Sequence, residues 1–244
     1  LPTCVVGATW FGRPNAATGL DAAACGPTCT CGGEPWQAPE YAEAEIEAWT
    51  ALRLETPFPE VLDDPYAAGP PDPPAEGAVC GVLAASGSYS LRTYRSDTEA
   101  LADGARVTHT EACGVCSTLE DLAVYVRELD LTEPVRACGL DHLGGDRDAH
   151  VACLRDLGFT LPCAQIWYWN TLHTQSACLV TCLAELDSPY NLPDGSLNPC
   201  LQCDEDESGE VFKAVAGRTR RNTGVPNAIC RPCDEVRPIE HRYP

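Results

Sequence analysis

Cys113 and Cys116 enclose Gly114 and Val115, a C-x-x-C spacing that thiol chemistry uses. The pair falls between a β-branched stretch, residues 106–110, and an apolar periodic run that opens near Thr118. A thiol at the start of a helix meets unpaired amides and the positive end of the dipole, which stabilise the reactive thiolate. His109, four residues ahead of Cys113, could tune such a site. Two more pairs, Cys200/Cys203 and Cys230/Cys233, offer the four sulfurs of a tetrahedral zinc site. The stretch between them is longer than the usual span of about 15–20 residues. The competing expectation is that every one of these sulfurs is bonded elsewhere in a disulfide framework.

The strand–CGxC–helix order over residues 106–129 resembles the matching element of thioredoxin-like oxidoreductases. That resemblance implies thiol–disulfide exchange at Cys113 and Cys116.

A second chemistry is electrostatic. Asp204, Glu205, Asp206, Glu207 and Glu210 precede a stretch, 211–231, that holds Lys213, Arg218, Arg220, Arg221 and Arg231 and no acid. Lys213, Arg218, Thr219, Arg220, Arg221 and Asn222 offer guanidinium forks, hydroxyls and amides to a carboxylate, sulfate or phosphate. Alternatively the two halves neutralise each other inside one cysteine-bounded loop, where closure costs little entropy. Asp204, Asp206 and Glu207 could contribute oxygens to Ca²⁺, although the D-x-[DN]-x-[DN]-G loop is missing. The five histidines form no H-x-H or H-E-x-x-H arrangement. No nucleophile elbow, P-loop or dinucleotide fingerprint occurs.

These residues need elements to position them. Ile46, Trp49 and Leu52 predict a helix over 42–54, with acids in its first turn where the dipole favours them. Seven prolines between 57 and 77 exclude a packed helix or central strand and predict an extended linker or a strap on the surface. Alternation predicts strands at 89–95 and 106–110, with a short helix or wide turn over 97–104 between them. Ser117-Thr118-Leu119-Glu120 reads as a capping box opening a helix over 118–129. Further helices are expected at 148–157 and at 162–186, the latter broken near Thr174, with Cys178 and Cys182 on one face. Within Ile166-Trp167-Tyr168-Trp169-Asn170, Trp167 suits the core while its neighbours face elsewhere. From 200 onward the tail reads as mostly irregular.

The chain has 244 residues, 16 of them Cys, and a formal charge of −20. Such acidity disfavours nucleic acid and anionic membrane surfaces, and no apolar run permits membrane insertion. An even, dense cysteine count and a first residue Leu1 fit a processed protein secreted or exported to an oxidising compartment. The expected architecture is an α-rich α+β fold: disulfide-stapled helices, a small β element and long irregular segments. It divides into a cysteine-containing lobe (1–56) with one helix, a Pro-rich linker or strap (57–77) and a main helical domain (78–244). The expected role is a binding or structural module that meets an extracellular protein or a small anion through 211–231, without a required cofactor. The alternative is an exported enzyme, either a Cys113/Cys116 oxidoreductase or a catalyst dependent on Zn²⁺ or Ca²⁺.

Overall fold

A computed structural model describes residues 1–7, 9–69 and 72–243. Pro70 and Pro71 of the 57–77 segment, and Pro244 at the end of the 78–244 segment, lie outside the described residues. The chain is a helix-rich α+β protein, 38% helix and 16% strand. Eight disulfides use every cysteine.

The first five strands are short: β1 (Cys4–Val5), β2 (Trp10–Phe11), β3 (Cys25–Gly26), β4 (Thr28–Cys31) and β5 (Glu34–Gln37). They form a three-stranded sheet, β1-β4-β5, and a parallel pair, β2-β3. Four cysteines could have closed this region on itself. Only Cys4–Cys31 does so, whereas Cys25 bonds Cys230 and Cys29 bonds Cys233, joining both ends of the chain.

Helix α1 (Glu43–Thr50) buries Ile46 and Trp49, the predicted apolar face. They pack with Val82, Tyr89, Leu119 and Leu122 over the main sheet. That sheet, in order β6-β8-β7-β9, contains β6 (Arg53–Leu54), β7 (Val79–Ala85), β8 (Ser88–Tyr94) and β9 (Arg106–Thr110). Strands β8 and β9 match the alternating stretches. Central β7 escapes that criterion because its first four residues are all buried, and a strand covered on both faces does not alternate. Helix α2 (Asp97–Ala102) joins β8 to β9 and is capped by the Ser96 hydroxyl.

The second layer is helical: α3 (Leu119–Arg127), α4 (Thr132–Asp141), α5 (Arg147–Asp156), α6 (Leu161–Ala184), α7 (Pro199–Glu207) and α8 (Gly209–Ala216). The cap of α3 is Thr118, one residue later than expected, its hydroxyl accepting from the Asp121 amide. Helix α6 runs unbroken through Thr174, whose hydroxyl donates to Asp204 rather than distorting the backbone. Trp167 turns inward between Phe159 and Phe212. Tyr168 and Trp169 face Arg147, whose guanidinium lies 5.6 and 5.1 Å from their ring centres.

The tail begins with two helices, α7 and α8, that the sequence reading left out, and from 217 to 243 it is mostly irregular, as expected. Asn198 caps α7 by accepting from Leu201 N, and Pro199 fits the first helical position, where no amide is needed. Cys178–Cys203 and Cys182–Cys200 bolt α7 along the shared face of α6. The Pro-rich segment packs as a strap on the other side of α6. Val61 N donates to Gln165 and its carbonyl accepts from Trp169, while Tyr66 stacks on His173 with ring centres 4.2 Å apart.

Candidate functional site

The structure separates Cys113 from Cys116. Cys113 bonds Cys80 and Cys116 bonds Cys163, so the alternative dithiol is corrected and the competing expectation, two framework bridges, is what the structure shows. The amides that were to stabilise a thiolate have another task. Val115 N and Cys116 N donate to the carbonyls of Val215 and Ala216, capping the C-terminal end of α8. His109 does not tune either sulfur. Its Nδ1 donates to the Thr110 carbonyl, and its Nε2 accepts from the Ser117 hydroxyl at 2.7 Å. This hydroxyl–imidazole pair has the order of an activated nucleophile, but both side chains are fully buried and no substrate can reach them.

The zinc tetrad is corrected in the same way. Cys200, Cys203, Cys230 and Cys233 lie in four different disulfides. The calcium trio is also dispersed. Asp204 accepts from Asn170 and Thr174, Asp206 accepts from Gln202, and Glu207 is exposed. Among the described residues, no three His, Cys, Asp or Glu side chains are grouped to hold a metal ion.

The basic island divides into a structural part and a surface part. Arg218 is completely buried. Its Nε donates to Cys116 O, its Nη1 to Thr108 O and Thr223 Oγ1, and its Nη2 to Thr108 Oγ1 and Ser117 O. All five N–H groups are therefore spent inside the protein, and none remains for a ligand. Asn222 organises the following turn, accepting from Thr219 N and donating to Gly217 O and Thr110 O. Arg220 donates to Leu129 O and Glu128 O at the end of α3, and its guanidinium lies 5.6 Å from the Tyr125 ring centre.

The other cations meet on one carboxylate. Glu205 is approached by Arg221 at 3.0 Å, Lys213 at 3.2 Å and Arg231 at 3.4 Å. Burial opposes ionisation of Glu205, but Arg231, Arg221 and Lys213 outweigh it and hold the carboxyl below its ordinary range. Burial, then the neighbouring Arg221 charge, lower Arg231 to about 10, so it stays protonated at neutral pH. Arg221 also faces Glu235 at 3.3 Å, yet its Nε forms no aligned hydrogen bond.

These residues edge a cavity of about 270 Å³ between α4, α6, α7 and α8. Leu131, Val135, Leu179, Leu183, Phe212 and Trp167 supply apolar wall, and Thr219, Arg220 and Arg221 lie on the lining. Tyr125 also lines it, 1% exposed, with a hydroxyl that makes no hydrogen bond. Trp167 Nε1 is close enough to bias that hydroxyl but is not aligned to bond it. The expected ligand-binding set named Lys213, Thr219, Arg220 and Arg221 in this neighbourhood and missed Tyr125, while Glu205 and Arg231 entered only through the alternative of mutual neutralisation, which their ion pairs match. Nothing local in the sequence separates Glu205 from the four acids around it.

A family of unknown function, DUF8771, matches residues 147–239. This interval spans α5 to α8 and contains Glu205, Lys213, Arg221 and Arg231. No curated protein and no solved structure matches the chain significantly.

Proposed function

We propose that this protein is an exported, disulfide-braced binding module that receives an anion at Lys213, Arg221 and Arg231. The observation that carries the reading is the meeting of these three cations on the single carboxylate Glu205 at the edge of an apolar cavity. Lys213, Arg221 and Arg231 against Glu205 and Glu235 leave at most one excess positive charge, in a chain whose total is −20. Long-range repulsion works against an incoming anion, so recognition depends on short charge-assisted hydrogen bonds. Export is supported by the eight disulfides, which persist in oxidising compartments. No helix among the described residues is long and apolar enough to cross a membrane.

The test is NMR titration of the labelled protein with butyrate, sulfate and inorganic phosphate. Shifts should concentrate at Lys213, Arg221 and Arg231, weaken as salt is added, and disappear in the Arg221→Gln/Arg231→Gln double variant. Absence of binding, or binding unchanged in that variant, rejects the proposal.

A further inference from the structure

We infer that the ligand is a medium-chain carboxylate amphiphile whose head meets Lys213, Arg221 and Arg231 while its alkyl chain lies in the cavity between α4, α6 and α8. The inference rests on the anion site proposed above and adds the chemical class of what binds there. At about 270 Å³, the volume of roughly nine liquid waters at ~30 Å³ each, the cavity is a solvent-open groove with room for a hydrocarbon chain. Its wall is chiefly aliphatic and aromatic, so water inside would find few partners, whereas methylenes would find many.

The apolar surface does not end at the mouth. Leu140, Leu143 and Leu186, 40%, 49% and 41% exposed, continue it from the ends of α4 and α6. A chain longer than the cavity would lie along these residues. Cations at one edge of an aliphatic and aromatic wall together describe a molecule with an anionic head and a hydrocarbon tail.

The experiment is calorimetric titration with straight-chain carboxylates from butyrate to dodecanoate and with the matching alkanols. Affinity should rise up to about fourfold per methylene, the ~0.8 kcal/mol of a buried CH₂, and then level when the cavity is full. Leu179→Asn/Leu183→Asn, at partly exposed wall positions, should weaken decanoate and leave butyrate unchanged. Affinity that is independent of chain length, with anion binding intact, overturns the amphiphile and leaves the anion site standing. Alkanols that bind as tightly as carboxylates, unaffected by R221Q/R231Q, overturn the anion site instead. No binding at any length overturns both.

Discussion

Gly114 and Gly217 press backbone to backbone: a Cβ on Gly217 would stand 2.3 Å from Gly114 N, and one on Gly114 would stand 2.6 Å from Gly217 N. Gly217 has φ +72° and ψ −62°, and Arg218 N bonds Ala216 O across it, which makes a tight γ-turn. The turn ends α8 and sends Arg218 into the core. Gly114 therefore belongs to the CGVC run because α8 docks there, and redox chemistry does not enter.

Gly217→Ala should cost about 3–4 kcal/mol, the sum of overpacking against fixed backbone and a left-handed φ imposed on an L side chain. Gly114→Ala, which lacks the second penalty, should cost less. Urea unfolding checks this, and a loss under 1 kcal/mol for Gly217→Ala would contradict the packing.

Arg218 and Arg221 should respond oppositely to substitution. Arg218→Ala strips five hydrogen bonds from buried carbonyls and hydroxyls and should cost about 3–5 kcal/mol. Arg218→Lys retains the charge but has three donors in place of five, so it should recover only part of the loss. Arg221→Gln removes two partly exposed ion pairs, to Glu205 and Glu235, each worth about 0–1 kcal/mol, and should affect binding more than folding. Equal stability losses in Arg218→Ala and Arg221→Gln, measured by urea unfolding, would contradict this division.

The bridges Cys25–Cys230 and Cys29–Cys233 enclose nearly the same loop, with sequence separations of 205 and 204. Either one alone keeps that loop closed. On chain entropy, a Cys→Ser pair at one bridge should therefore cost only closure of the short residual ring, about 2 kcal/mol. Removal of both should cost about 7 kcal/mol, well beyond the sum of the singles. A double-mutant cycle by denaturant unfolding measures the excess, and additive losses would show that the bridges do not share one loop.

What could be read from the sequence follows which forces act locally. α3 and β9 were legible because each carries its own period, and α1 because Ile46 and Trp49 face the same core. β7 was hidden by burial on both faces, and α4 by Pro134 and Gly139, although the first turn of a helix tolerates proline. α8 carries Val211, Phe212, Val215 and Ala216 on one face, but its neighbouring charges drew the reading toward a loop. The candidate site was half legible. Charge type pointed to Lys213 and Arg221, while only three-dimensional packing distinguishes them from Arg218. Disulfide partners depend on long-range contacts, so the spacing of Cys113/Cys116 and Cys200/Cys203 allowed a framework without naming the partners of any sulfur.

Acid stability tests the buried polar core. His109 and His241 are held neutral by burial and then by Arg218, His241 with a pKa of about 3 and His109 well below the ordinary value. Unfolded imidazoles titrate near ~6.5, so each supplies stability that is complete above that pH and lost as pH falls, at ~1.4 kcal/mol per unit. Asp121 acts in the other direction. Burial raises its carboxyl to about 6 despite hydrogen bonds from Thr118 and Thr160, so its contribution is complete below ~4 and lost as pH rises through 6. His150, lowered to about 4 by burial, adds to the loss on acidification, and Asp204, raised by burial, opposes it. Between pH 6 and 4, Asp121→Asn should increase the loss by about 1.4 kcal/mol per pH unit, and His241→Asn should reduce it by about as much. Urea unfolding at several pH values reads both changes as differences from the wild type, which removes the shared titration of the other acids. Identical pH profiles in all three proteins would mean that these groups do not titrate as their burial requires.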